Sequence, residues 1–167
     1  DEYDEWTELQ NPIHDAETIG TELRETYGFD VQLVRNPTKT AILEELHRLA
    51  EATYAEHDQL FIFFAGHGTF NETFESGYII PRDGHATDKL GQSYLSQSEL
   101  RTIVNGIPSN HILLVRDVCF GGTVDPLVAA GQNRGVESGG YAGVDDAAFI
   151  ARKMRYRTRR YVTSGGK

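Results

Sequence analysis

The chain has 167 residues, a length that fits one domain with a hydrophobic core of its own. Its net charge of −9 is divided unevenly: residues 151–167 hold seven basic residues and no acids, so residues 1–150 carry 9 − 25 = −16. Such an acidic body disfavours nucleic acid as the main partner, and no run of about 20 apolar residues is present to span a membrane. A single cysteine excludes an intrachain disulfide and favours a reducing, cytoplasmic location.

The first half of the chain alternates predicted helices and strands. Asn11-Pro12 begins a helix, with Asn as N-cap and Pro in the first turn, and Gly28 ends it. Alternating apolar and polar residues predict a strand over Phe29–Arg35, and a second helix extends from Lys39 to about Ala55. The continuous apolar run Leu60–Ala65 predicts a strand that is covered on both faces, as in a parallel sheet.

The second half continues the alternation. A short strand around Tyr78–Ile80 precedes a helix that the capping box Ser96-Gln97-Ser98-Glu99 begins, and further strands are predicted at His111–Val115 and Tyr161–Thr163. Residues 123–160, which end in a basic tract, are expected to be a loop or linker. This order predicts one domain over residues 1–167, a three-layer α/β sandwich with a mainly parallel sheet. The chain begins with a helix and stops just after a strand, so both ends look cut and further strands are expected elsewhere.

Two chemically reactive side chains follow buried-type strands. His67 comes directly after one predicted strand and Cys119 shortly after another, and glycines flank both positions. Ligands of open α/β sheets bind at the carboxyl ends of the strands, so neighbouring strands would bring imidazole and thiol to one rim. A thiolate that attacks a carbonyl, an imidazole that protonates the leaving amine and backbone amides that stabilise the oxyanion need this arrangement.

The segments around these residues resemble the two signatures of the caspase–metacaspase superfamily. They are Phe63-Phe64-Ala65-Gly66-His67-Gly68 and Asp117-Val118-Cys119-Phe120-Gly121-Gly122, and the His precedes the Cys by 119 − 67 = 52 residues. The segments 11–16, 78–83 and 163–166 are also similar to prokaryotic caspase-like domains, so the resemblance covers nearly the whole chain in order.

The resemblance implies a caspase fold whose first strand is missing from this chain and whose small-subunit half follows Lys167. It also implies a cysteine endopeptidase with Cys119 as nucleophile and His67 as general acid–base. The backbone amides of Gly68 and Cys119 would form the oxyanion hole, and no third catalytic residue is expected.

Substrate preference follows from two acidic positions that the resemblance assigns to the primary pocket, Asp117 and Asp15. A carboxylate pair attracts Arg or Lys and repels an acidic side chain, so cleavage after basic residues is expected. Many metacaspases have Ser where this chain has Ala65, which leaves the choice between Arg and Lys open. Asp15 could instead only stabilise the first helical turn, and Asp117 could instead pair with Arg116 or another cation.

Cleavage after basic residues would make the basic tract and the last residue candidate self-processing sites. These are Arg152, Lys153, Arg155, Arg157, Arg159, Arg160 and Lys167. The expected partners are proteins or peptides with exposed Arg or Lys, the small-subunit segment of the same protein as a second chain, and an upstream activator.

No cofactor is expected from the motifs. Histidine and cysteine spacings of a metal site, a P-loop and the G-x-S-x-G motif do not occur in the sequence. Calcium stays open because many metacaspases use it, although the pair Asp145-Asp146 is too little to assign a site. The alternative functions are an inactive caspase-like scaffold and a flavodoxin-like binding domain with incidental His and Cys.

Overall fold

The computed structural model describes residues 2–118 and 154–164. In these residues the elements follow the chain as α1 (Pro12–Glu25), α2 (Lys39–Glu51), β1 (Gln59–Gly66), β2 (Gly68–Asn71), β3 (Ser76–Ile79), β4 (Leu95–Ser96), α3 (Gln97–Gly106), β5 (His111–Val118) and β6 (Thr158–Thr163). No described helix is long and apolar enough to cross a bilayer.

The central sheet is parallel and has the order β1-β5-β6. The pairing of β1 with β5 runs in register from Gln59 opposite His111 to Gly66 opposite Val118. The predicted buried-type strands are confirmed, but β5 is longer than the five residues expected because its alternation of buried and less buried side chains continues to Val118.

Helices cover both faces of this sheet. The main core lies between the sheet and the pair α2 and α3, and its buried members include Ile42, Leu46, Leu100, Val104, Ile62, Ile112 and Leu114. On the opposite face, Ile19 of α1 lies beside Phe63 of β1 and Val115 of β5. The predicted three-layer α/β arrangement is therefore present in the described residues.

A second sheet, antiparallel and ordered β2-β3-β4, follows the first. Of its strands, the sequence predicted only β3. Strand β2 was not predicted because the polar residues between His67 and Tyr78 suggested a loop, and the two-residue strand β4 was not predicted either. Gly68 pairs with Ile79 and Asn71 with Ser76, so β2 and β3 form a hairpin directly after β1. This hairpin makes His67 the single residue between the two sheets.

The helix ends differ in detail from the predictions. Asn11 precedes α1, but its side chain makes no capping hydrogen bond. The second helix ends four residues before the predicted end, because Ala52 adopts an extended conformation and the Tyr54 hydroxyl donates to the Leu49 carbonyl at 2.9 Å. The predicted cap of α3 is confirmed: Ser96 Oγ accepts a hydrogen bond from the Glu99 amide at 3.1 Å.

The strand predicted over Phe29–Arg35 is wrong, because these residues belong to no sheet. Their burial still alternates, with Phe29, Val31 and Leu33 half-buried between exposed residues. A largely apolar cavity of about 310 Å³ lies between this segment, the two helices α1 and α2, and strand β1. The segment therefore has the side-chain pattern of a strand but no neighbouring strand to pair with.

The prediction of a loop or linker over residues 123–160 is also partly wrong. Residues 158–160 are the first half of β6 and pair with β5 from His111 to Leu113. Residues 123–153 of that region lie outside the described residues.

Candidate active site

His67 is held by its backbone at the junction of the two sheets. Its amide donates to the Tyr3 hydroxyl at 3.0 Å, and its carbonyl accepts from the Ile80 amide at 2.9 Å. The preceding Gly66 has φ = +150°, a backbone conformation that residues other than glycine rarely adopt. The turn from β1 into β2 thus places the imidazole beyond the carboxyl end of β1.

The imidazole orientation is set by a backbone carbonyl. His67 Nε2 lies 2.7 Å from the Thr7 carbonyl oxygen. Because a carbonyl only accepts, Nε2 carries the proton and donates. This bond leaves Nδ1 as the nitrogen that can accept or release a proton in a reaction.

Thr7 was not predicted as part of the site. A backbone carbonyl belongs to every residue type, so the sequence contains no signal that would distinguish this one. It comes from residues 2–9, which form no helix or strand and lie over His67.

Aromatic rings surround the imidazole on the side of this segment. The Tyr3 and Trp6 rings have centroids 4.8 and 5.5 Å from the His67 ring, and Trp6 contacts Tyr94 edge-on at 6.0 Å. Burial raises the pKa of Tyr3 and that of Tyr94, so both hydroxyls stay neutral near pH 7. These rings form a packed wall that limits the rotation of the imidazole.

The strand that leads to Cys119 ends beside His67. Gly66, which precedes His67, is the register partner of Val118, which precedes Cys119. Neighbouring strands lie about 4.8 Å apart. Cys119 itself is outside the described residues; Gly68, the other predicted oxyanion residue, is buried at the start of β2.

Asp15 and Asp117, the two predicted pocket acids, line one cavity of about 430 Å³. Asp15 is half-buried on α1 and Asp117 is exposed near the end of β5, with Phe63 and Val115 between them. Both carboxylates therefore border a partly apolar cleft at the carboxyl end of the sheet, where a long cationic side chain could place its stem and its charge.

The alternative pairing of Asp117 with Arg116 does not occur. Successive strand residues project to opposite faces, so the Arg116 side chain lies on the face of Leu114 and Val118 and the Asp117 side chain on the other face, although Arg116 also contributes to the cavity lining. Arg116 is 1% exposed, and burial lowers the pKa of its guanidinium.

Comparison with known protein families assigns the chain to a family. The sequence model of the caspase domain matches residues 1–161 of this chain. The chain belongs to the caspase-domain family. A caspase domain implies a caspase-like cysteine peptidase that acts on protein substrates. No curated protein matches the chain at a significant level.

The arginines of the basic tract differ in exposure and in hydrogen bonding. Arg159 and Arg160 lie within β6, and the Arg159 guanidinium donates to the Ile107 and Asn110 carbonyls. The Arg157 side chain donates to the Asn105 and Ile107 carbonyls, whereas Arg155 lies exposed before β6. Arg152, Lys153 and Lys167 lie outside the described residues.

The described residues contain no cluster of metal-ligating side chains. Within residues 2–118 and 154–164, no three His, Cys, Asp or Glu side chains come together in a way that could hold an ion. The pair Asp145-Asp146 lies outside these ranges.

Proposed function

We propose that this caspase domain is a cysteine endopeptidase that hydrolyses peptide bonds after Arg or Lys, with Cys119 as nucleophile and His67 as general acid–base. The register of β1 and β5 supports the pairing of these residues, because it ends with Gly66 opposite Val118. The Thr7 carbonyl supports the role of His67, because it binds Nε2 and leaves Nδ1 for the proton that the reaction transfers.

The proposed reaction has two steps. His67 Nδ1 takes the proton of the Cys119 thiol, and the thiolate attacks the scissile carbonyl carbon. The tetrahedral oxyanion accepts hydrogen bonds from the backbone amides of Gly68 and Cys119. The carbon–nitrogen bond breaks as protonated His67 gives its Nδ1 proton to the leaving amine. In the second step His67 takes a proton from water, the resulting hydroxide attacks the thioester, and the thiolate leaves.

The preference for basic residues rests on the cavity that Asp15 and Asp117 share. Two carboxylates at the edge of a partly apolar cleft favour a cation, and a guanidinium can bind a carboxylate through two parallel hydrogen bonds. An aspartate side chain in the same cleft would be repelled.

Peptide reporters that differ only in the residue before the cleaved bond test the proposal. We expect turnover of the Arg and Lys reporters and none of the Asp reporter. His67→Ala and Cys119→Ala should each lower kcat by at least roughly 100-fold. Asp117→Asn should lower kcat/KM for Arg by roughly 5- to 30-fold, a loss of about 1–2 kcal/mol, because the carboxylate is exposed.

Asp30→Asn is the matched control, since Asp30 is exposed and lies outside the acidic cavity. It should leave kcat/KM unchanged. Preference for the Asp reporter would refute the specificity. A folded protein with no turnover of any reporter would favour the inactive caspase-like scaffold.

We also propose that protein outside these 167 residues completes the sheet beside β1. The cavity between β1 and residues 29–35 supports this, because an added parallel strand could pair with both walls and cover their apolar side chains. The small-subunit segment would extend the sheet at the other edge, beyond β6. A longer chain that contains the added strand should melt at a higher temperature than residues 1–167; equal melting temperatures would contradict the proposal.

Self-processing is proposed at the basic tract. Arg155 is the best placed of the four described candidates, because it is exposed and precedes the strand. Cleavage after Arg159 or Arg160 would require β6 to leave β5. Mass spectrometry of the products from wild type and Cys119→Ala would show whether cleavage at Arg155 depends on the thiol.

A further inference from the structure

Residues 2–9 carry the carbonyl that orients His67, so their attachment to the rest of the domain bears on the site. We call them the N-terminal segment. Without helix or strand, they depend on individual contacts for their position. Near its start the Glu2 amide donates to Asn36 Oδ1 at 3.2 Å, and the Asp4 amide donates to the Arg82 carbonyl at 2.9 Å.

The hydrogen-bonded anchor that precedes Thr7 most closely in the described residues is Glu5, which uses both carboxylate oxygens. Oε1 lies 2.9 Å from His85 Nδ1, and Oε2 accepts from the Ala86 amide at 3.0 Å. Two bonds from one carboxylate fix its direction as well as its distance. Only Trp6 separates this anchor from the residue whose carbonyl binds His67.

The loop that receives Glu5 is itself cross-linked. The His85 amide donates to Ser93 Oγ at 3.0 Å, and Ser93 Oγ donates to Asp88 Oδ2 at 2.8 Å. The Tyr94 hydroxyl donates to the His85 carbonyl, and Tyr94 is buried. Glu5 therefore attaches the N-terminal segment to a fixed part of the domain.

We infer that Glu5 and His85 form a positioning pair that holds the Thr7 carbonyl against His67 Nε2. The pair does not touch the reacting atoms and acts through the segment between Glu5 and Thr7. This inference rests on the proposed function insofar as His67 is the acid–base. The attachment of the segment is a property of the described residues alone.

The pair should be strongest when both partners are charged. A hydrogen bond from His85 lowers the pKa of Glu5, and the hydrogen bond to Glu5 raises the pKa of His85. The other charged groups that face His85 are Asp88 and Asp83, which also favour the imidazolium. As pH rises through the raised pKa of His85, the imidazolium loses its proton and the bond to Glu5 loses its charge assistance.

Nitrogen-15 NMR of the histidine rings tests the inference without any substrate. In the intact protein, the His67 signals, identified by their loss in His67→Gln, should be those of an Nε2–H tautomer. Glu5→Ala and His85→Ala should each shift these signals toward a mixture of tautomers, and the double variant should shift them no further. Glu8→Ala, an exposed change in the same segment, should leave them unchanged.

Kinetics give the second readout. Glu5→Ala and His85→Ala should each lower kcat by roughly 10- to 100-fold with little change in KM, as expected for a misplaced catalytic group. Glu5→Asp, which keeps the charge, should recover part of the loss. Unchanged His67 signals in folded Glu5→Ala would overturn the inference. Shifted signals in a protein that cleaves no reporter would instead overturn the proposed function and leave the positioning pair intact.

Discussion

Substitution of Gly66 tests how the backbone of His67 is held. Its φ of +150° disfavours any side chain, and a Cβ built there would lie 2.6 Å from the Tyr3 hydroxyl oxygen. The next nearest atom, Tyr3 Cζ, is 4.0 Å away, which is an ordinary contact distance. The clash therefore depends on one oxygen atom, the same atom that accepts from the His67 amide.

The magnitude follows from two contributions. Alanine in this backbone conformation should cost about 1–3 kcal/mol. Displacing the Tyr3 hydroxyl breaks its bond to the His67 amide, which should cost about 1 kcal/mol more. In a Tyr3→Phe background the hydroxyl is already absent, so Gly66→Ala should cost the backbone strain alone. The two substitutions should thus be non-additive, with a coupling of about 1 kcal/mol.

Urea denaturation of the wild type, the two single variants and the double variant measures this coupling. Gly28→Ala is the matched control, because Gly28 also has a positive φ, +71°, but no atom lies within 4 Å of the added Cβ. Its cost should be the same with Tyr or Phe at position 3. Full additivity of Gly66→Ala and Tyr3→Phe would refute the contact between Gly66, Tyr3 and His67.

Two further predictions concern stability. Leu100→Ala removes a side chain that is 1% exposed and packs between α3 and the sheet. It should lower the free energy of unfolding, measured by urea titration, by about 2–5 kcal/mol. An unchanged urea midpoint would contradict the described core. Glu45→Gln removes a partly exposed ion pair with Arg48, whose hydrogen bond lowers the pKa of Glu45. The pair stabilises the fold above the unfolded-state pKa, and that contribution of about 0.3–0.5 kcal/mol is lost as pH falls through the lowered folded-state pKa. Stability measured against pH should therefore show a difference between wild type and variant at pH 7 that closes in acid; a difference that grows in acid would contradict this sign.

Sequence periodicity predicted the central elements because their burial is one-sided or complete. The apolar run of β1 and the spacing of Ile42 and Leu46 on α2 are dictated by core packing, and both predictions agree with the structure. The strand prediction at residues 29–35 failed for a different reason. The pattern predicts which side chains are buried, but a strand also requires a hydrogen-bonding neighbour, and the described residues provide none there.

In the candidate site, too, some residues could be predicted from the sequence and others could not. Side-chain chemistry predicted His67 as a site residue, and the family resemblance predicted Asp15 and Asp117, which line one cavity. The Thr7 carbonyl and the Tyr3 hydroxyl could not be predicted, because they come from a segment without periodicity that lies 60 and 64 residues before His67. Contacts between such distant segments depend on the folded path of the chain rather than on local pattern.

The short connection between β1 and β2 affects the conformational entropy of His67. His67 is the one residue between these strands, and two separate parts of the chain restrain it. Tyr3 and Thr7 of the N-terminal segment bind its amide and its ring, and the Ile80 amide binds its carbonyl. The rotational freedom of the imidazole is therefore lost once, when the polypeptide folds, and does not have to be lost again at each encounter with a peptide. In the proposed reaction, the imidazole would therefore not have to be reoriented before each proton transfer.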